Sequence, residues 1–323
     1  MIIPFHKPHI TQKEIDSVTD TLRSGWLTMG PKTIQFEQSF KKYIGAKYVV
    51  SVNSATAALH LALNAIGISE SDEIIIPTNT FTSTAETAIY LGGKPIFCDI
   101  SEETHNINIK KIEKLITDQT KAIIPVHFGG LPCEMEQINK IAEKYNLKII
   151  EDCAHALPSL YKNKKIGSKD GISCFSFYAT KTLSTGDGGM ITTNDENIAE
   201  KIKLKRLHGI NNDAWIRSNN KNDWYYEVVD LGYKYNTTDI QSSLGLVQLD
   251  KIDWMHQRRK EIAKMYIEAL NNKISYISEL KGAKSSWHLF VIKVANRDEL
   301  FRKLKSRGIS TSVHFIPLHK HPF

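Results

Sequence analysis

The sequence predicts a large α/β domain, a mixed but mostly parallel sheet sandwiched by helices, followed by a small C-terminal α+β domain. Three observations lead there. Short, almost wholly apolar runs such as YVVSV, EIIIP, AIIPV and KIIE alternate with amphipathic stretches between residues 47 and 195. Strands of that kind are buried on both faces, as in sheets covered by crossover helices. A helical pattern then resumes after Thr238 and leads into a shorter segment with its own strand-like and helix-like runs. The chain has 323 residues, 41% of them hydrophobic and 24% charged, which are ordinary globular values. At roughly 150 residues per domain this suits two units: residues 1–247, with an N-terminal arm, and residues 248–323.

Taken in order, strands are expected at 48–52, 73–77, 95–98, 122–126 and 148–151, with helices at 56–66, 82–91, 109–115 and 134–145 between them. Two more strand-like runs, 172–177 and 190–193, lack a long intervening helix and should pair differently from the βαβ part. Residues 211–223 (NNDAWIRSNNKND) are polar, Asn-rich and without period, so a loop is expected. From residue 239 to 270 the pattern suits a long connecting helix. Beyond it, a strand at 289–294 and a helix at 298–306 complete the small domain.

Composition excludes several classes. No apolar run approaches the ~20 residues that span a bilayer, and MIIPFHKPHITQKE lacks the parts of a signal peptide. Cys98, Cys133, Cys153 and Cys174 form no CxxC pair, so they read as buried thiols in a reducing cytoplasm, with no disulfide scaffold or metal centre. The net charge is +7, and residues 251–323 hold 15 basic against 6 acidic residues. Without a zinc finger, an aromatic RNA-binding motif or a dense basic run, nucleic acid is not the expected partner.

Ligands of open parallel sheets bind beyond the carboxyl ends of the strands, and polar residues gather there. Ser54, Ala55 and Thr56 occupy a strand-to-helix turn, which serves either as an ordinary N-cap or as a phosphate site. Asp152 ends KIIED, where a partly desolvated carboxylate needs a cation or donor: a metal, a helix it caps, or a protonated ring nitrogen. A metal is disfavoured because no second carboxylate stands at ligand spacing. His155 is a core histidine or a ligand contact. Lys181, in CFSFYATKTLSTGDGGM, is a solvated loop charge or a Schiff-base nucleophile. The glycines after it do not form GxGxxG, which argues against a dinucleotide dehydrogenase. Pyridoxal phosphate accommodates all these parts at once: a lysine to condense with it, an acid for its ring nitrogen and a phosphate cup, with Phe81 in NTNTFTST placed to sandwich the ring.

These residues resemble the DegT/StrS-type sugar-nucleotide aminotransferases, which have the aspartate-aminotransferase-like fold (fold type I of the pyridoxal-phosphate enzymes). The resemblance runs along the chain through SGWLTMGPKTIQFEQSF, NSATAALHLAL, PTNTFTST, PVHFGG, EDCAHA, FSFYATKTLSTGDGGM, LGYKYNTTDIQSSLGLVQL and SVHFIPLHKHPF. It implies that Lys181 bonds the cofactor, Asp152 faces the pyridine nitrogen, His155 contacts the phenolic oxygen and Phe81 stacks on the ring. The backbone of Ala55, with Thr56 and Ser176, would hold the phosphate. The family's GYNYR reads GYKYN here, so Lys234 takes the place of an Asn that reaches the neighbouring subunit's phosphate, and Asn236 replaces the Arg. A homodimer with shared sites follows from the resemblance.

The implied reaction moves an amino group from glutamate to a keto group of a nucleotide-linked sugar. The SGWLTMGP segment is similar to members that act at the fourth carbon of the sugar rather than the third. Trp26, Thr28 and His314 are the sugar-side candidates, and the basic C-terminal region suits a diphosphate. Relatives include a dehydratase that carries His in place of the lysine, and a non-catalytic regulator; the presence of Lys181 and Asp152 argues against both. Family chains continue past the SVHF-like motif with another strand and helix, which implies a chain cut short.

Overall fold

The computed structural model describes residues 2–169, 171–211, 224–270 and 273–323. Of the expected loop at 211–223, all but Asn211 lies outside the described residues. The large sheet is assembled from β1 (Tyr48–Val52), β2 (Glu73–Pro77), β3 (Lys94–Cys98), β4 (Thr120–Ile123), β5 (Lys148–Asp152), β8 (Ile172–Ser176) and β9 (Gly189–Thr193). Between β5 and β8 come the short strands β6 (Leu160–Tyr161) and β7 (Lys164–Lys165). The spatial order is β1-β9-β8-β5-β4-β2-β3. β3, β2, β4, β5 and β8 pair in parallel, and β9 runs antiparallel to β8 and β1. Of the two late strands, then, only β9 departs from the parallel run.

The all-apolar strands are explained by two-sided burial. In β2, Ile75 joins one core cluster while Ile74 and Ile76 join the other, because successive side chains point to opposite faces. On one face α2 (Pro31–Ile44) brings Phe36 and Phe40 against Phe175 and Phe177. On the other, α3 (Ala55–Ala65) is buried nearly all round, as its sequence ATAALHLALNA dictates. The remaining helices of this part are α1 (Gln12–Ser24), α4 (Ser83–Ile89), α5 (Ile109–Ile112), α6 (Met135–Tyr145) and α7 (Glu196–Lys205).

Three expectations are corrected. The strand expected at 122–126 occupies Thr120–Ile123, because Pro125 has no N–H to continue the ladder; only a bridge from Val126 to Asp152 follows. The single helix expected at 239–270 is two, α8 (Asp239–Asp250) and α9 (Ile252–Leu270), and the intervening Lys251 is held by the Glu14 carboxylate and the His9 carbonyl. The strand expected at 289–294 shrinks to β12 (Ile292–Lys293), which pairs with β10 (Ser275–Tyr276). Its leading residue, Leu289, donates its N–H to the Gly129 carbonyl instead. β11 (Ala283–Lys284) pairs with β6, and α10 (Arg297–Ser306) matches the last expected helix. Among the described residues no helix is long and apolar enough to cross a membrane.

Candidate active site at the carboxyl edge of the sheet

Because the central strands are parallel, their carboxyl ends share one edge, and the antiparallel β9 begins there. Gly189 pairs with both Val52 and Ser176. A Cβ on Gly189 would lie 2.6 Å from the Ser54 carbonyl and 2.9 Å from the Ala55 nitrogen, so only glycine lets β9 approach the start of α3 this closely. The Ser54 hydroxyl accepts the Ala57 N–H at 3.0 Å. Ala55 and Thr56 are half-buried and open the helix, and the Ser176 hydroxyl accepts the Tyr178 N–H at 3.3 Å. The positive end of α3 thus lies against the start of β9, next to Ser176.

Asp152 closes β5 and is buried. One carboxylate oxygen accepts the Thr84 hydroxyl at 2.9 Å and the other accepts the Ala154 N–H at 3.1 Å. Burial pushes its carboxyl above the usual range, against the pull of those two donors and of the positive charge of Lys181. Lys181 lies in the turn after β8, and burial lowers its ammonium to about 8, with the Asp152 charge opposing the shift. His155 is buried, and its Nδ1 accepts the Gly129 N–H at 3.3 Å. The ring proton therefore sits on Nε2, and burial together with Lys181 holds this imidazole well below its ordinary pKa.

Phe81 is exposed, with its ring centroid 6.1 Å from that of Phe315. His314 is half-buried, stacks on Phe5 at 5.8 Å and lies 6.2 Å from His155. The structure thus gathers Asp152, His155, Lys181, Phe81 and His314 at one edge. Trp26 and Thr28 sit on the turn between α1 and α2; the Trp26 ring N–H donates to the Met29 carbonyl at 3.2 Å. Asp239 fastens this turn to α8, accepting the N–H groups of Gly30, Lys32 and Thr33 and the Thr33 hydroxyl. The Lys234 side chain stands exposed, while its carbonyl accepts the Asn53 amide at 3.3 Å. Asn236 is buried, and its Oδ1 has no partner among the described residues.

Sequence reasoning missed Thr84, Gly129, His288 and Phe315. Thr84 stands inside NTNTFTST and Phe315 next to His314, so both motifs held the signal. His288 carried none, since its partner His155 is remote in the chain. Behind the site, His127 Nε2, a Glu151 carboxylate oxygen and Cys153 Sγ lie within 4.8 Å of one another. His127 Nδ1 accepts the Cys133 N–H at 3.0 Å, which fixes the ring proton on Nε2, and that nitrogen donates to Glu151 at 3.0 Å. A metal on Nε2 would put the proton on Nδ1, against the Cys133 N–H. This cluster is a structural hydrogen-bond network, completed by the Ser173 hydroxyl on Glu151.

A doubly covered, mostly parallel sheet with a buried acid, a lysine of lowered pKa and a helix N-terminus at one edge is the arrangement of α/β folds that bind their ligands beyond the strand ends. A profile of the DegT/DnrJ/EryC1/StrS aminotransferase family matches residues 8–323, and the chain belongs to that family. The spore coat polysaccharide biosynthesis protein SpsC of Bacillus subtilis is 47% identical over 330 residues, covering 99% of this chain and 85% of the relative. The uncharacterized protein MJ1066 of Methanocaldococcus jannaschii is 51% identical, with the same coverage of each chain. Among solved structures, the putative sugar aminotransferase Spr1654 of Streptococcus pneumoniae in its PLP form superposes with a TM-score of 0.92 at 34% identity, covering 98% of this chain and 86% of that one. Helicobacter pylori PseC, an aminotransferase involved in the biosynthesis of pseudoaminic acid, gives 0.91 at 32% identity, covering 100% and 87%.

Proposed function

We propose that this chain is a pyridoxal-phosphate-dependent sugar aminotransferase. It moves an amino group from glutamate to the C4 keto group of a nucleotide-linked sugar, working as a homodimer with shared sites. The observation that carries the reading is Lys181, an amine lowered to about 8 beside a buried carboxylate. At pH 7.5 roughly a quarter of such an amine is uncharged, against about one part in a thousand for an ordinary lysine. Lys181 is therefore a competent nucleophile and proton carrier near neutrality.

The residues present fit the cofactor. Gly189 lets β9 lie against the start of α3, where a Cβ would collide with the Ser54 and Ala55 backbone, and Ala55, Thr56 and Ser176 would hold the phosphate. Asp152 is a buried carboxylate whose two oxygens each take one donor; burial raises its pKa, and a protonated ring nitrogen would offset that burial. Pyridoxal phosphate, when bound, contributes an aldehyde carbon and an electron-withdrawing ring. Asp152 would face that ring nitrogen and favour its protonated form. Lys181 Nζ would supply the amine that condenses with the aldehyde and a base able to move a proton near neutrality. His155, through Nε2–H, would donate to the phenolic oxygen, and Phe81 would cover the ring.

His314, Trp26 and Thr28 would face the sugar. The dimer reading draws support from the exposed strip that holds Lys234: Trp224, Val228 and Leu231 are 82%, 66% and 75% exposed, a surface of the kind a second copy covers. The test is a panel of nucleotide-linked keto sugars incubated with the protein, pyridoxal phosphate and glutamate, read by product mass. A product one amino group richer, formed from a 4-keto substrate, is expected. Amination of the 3-keto sugars alone would overturn the C4 assignment, and no amination of any sugar would overturn the substrate class.

A further inference from the structure

Thr80 and Thr84 are buried residues on the turn that leads from β2 into α4, at 1% and 0% exposure. The reaction as proposed gives neither hydroxyl a task. The Thr84 hydroxyl donates to one Asp152 oxygen at 2.9 Å and lies 2.8 Å from the Thr80 hydroxyl. A threonine hydroxyl carries one proton. With that proton engaged by the charged carboxylate, Thr80 must be the donor in the second bond, so the two hydroxyls form a ladder pointing at Asp152. Thr84 is the only partner of the Thr80 hydroxyl among the described residues. Phe81 sits inside the same turn, where its carbonyl accepts the Thr84 N–H at 3.2 Å. The ladder and the aromatic ring beside it thus share one stretch of backbone.

Packing does not require this arrangement. Valine has nearly the shape of threonine and would fill both positions without a buried polar atom to satisfy. What the hydroxyls add is a donor where burial works against charge. Burial pushes the Asp152 carboxyl up, and the Ala154 N–H and then the Thr84 hydroxyl pull it back. Lys181 and His127 act in the same direction as these donors. Glu151 precedes Asp152 on β5, and the nearby thiols of Cys133, Cys153 and Cys174 are held neutral, chiefly by burial. A hydrogen bond to a charged acceptor is about twice as strong as one between neutral groups, and the Thr80 hydroxyl polarises that of Thr84 further. The ladder therefore favours the carboxylate over the neutral acid, even though both hydroxyls can turn.

We propose that Thr84, backed by Thr80, is a positioning residue for the reaction, keeping Asp152 charged and aimed so that a proton shared with the cofactor's ring nitrogen stays on the nitrogen. This rests on the reading of Asp152 given above. The experiment compares wild type with Thr84→Val, Thr84→Ser, the double variant Thr80→Val/Thr84→Val, and Asp152→Asn. The unloaded proteins are followed by thermal melting and by carbon-13 NMR titration of labelled aspartates, the Asp152→Asn spectrum identifying the Asp152 signal. The loaded proteins are followed by stopped-flow absorbance of the glutamate half-reaction.

In the unloaded protein, Thr84→Val is expected to raise the pH at which Asp152 takes its proton by about one unit. In the loaded protein it should slow the half-reaction roughly tenfold. It should also melt lower, because it strands the buried Thr80 hydroxyl. The double variant removes that stranded group and should melt above the single one, with its midpoint and rate still displaced. Thr84→Ser returns the hydroxyl and should bring both back towards wild type. An unchanged midpoint in Thr84→Val, or a rate that recovers along with stability in the double variant, would overturn the proposal. If Asp152→Asn turns over at the wild-type rate, the reading of Asp152 fails instead, and the midpoint in the unloaded protein still judges Thr84.

Discussion

Replacing Asp152 by Asn separates the chemical role of the carboxylate from a structural one. Asn keeps the shape, and its amide oxygen can still accept the Ala154 N–H, now 3.1 Å from one carboxylate oxygen. The amide nitrogen would face the Thr84 hydroxyl. That hydroxyl can turn to accept, because it already shares a 2.8 Å hydrogen bond with Thr80 in which either oxygen is the donor. The substitution also removes a carboxyl whose charge burial disfavours, so the fold should lose little stability. What the amide cannot do is hold a proton on a ring nitrogen. A charge-assisted hydrogen bond is worth about 1.5–3 kcal/mol, which corresponds to roughly ten- to a hundredfold in the rate of the glutamate half-reaction. Cofactor titration, thermal melting and stopped-flow absorbance of that half-reaction form the assay. Melting and cofactor affinity near wild type with a rate down by that factor are expected. Near-normal turnover would show that Asp152 only caps the turn that follows it.

Three further outcomes follow from the same geometry. The rate at which unloaded protein captures pyridoxal phosphate should climb with pH and level off above about 8, because burial favours the uncharged form of Lys181; a climb continuing towards 10 would place that amine in solvent. Asp239→Ala strips the start of α2 of four hydrogen bonds and should cost roughly 2 kcal/mol by thermal or urea unfolding, while also loosening the Trp26–Thr28 turn; an unchanged midpoint would contradict this. Mixing inactive Lys181→Ala and Lys234→Glu chains under subunit exchange should restore activity towards about a quarter of all sites if Lys234 serves the neighbour's phosphate, since one site of each mixed dimer then carries both lesions; no recovery despite exchange would remove the shared site.

The parallel sheet was legible because two-sided burial writes itself as unbroken apolar runs such as EIIIP, and the edge carrying Asp152, Ser176 and Lys181 follows from strand direction alone. The helices α1 and α2 went unread although their signals are local: Thr11 and Glu14 form a capping box, Gly25 ends α1 in the left-handed region, and Pro31 and Gly45 bracket α2. Other features could not have been found locally. The Phe128 and Phe315 rings beside His155, the His288 ring tilted against it and the clamp of Asp239 on α2 all join residues remote in the chain. Their identity as contacts exists only once the fold has closed. The shortened strand β12 belongs to the same class, since Leu289 spends its N–H on Gly129, a partner no periodicity announces.

Borohydride reduction of the loaded protein, followed by peptide mass mapping, identifies the residue that bonds the cofactor. The wild-type protein should be yellow and carry one pyridoxyl phosphate on the peptide containing Lys181 after reduction, and the Lys181→Ala protein should carry none. A label on another lysine, or covalent trapping that persists in the Ala variant, would contradict that role for Lys181.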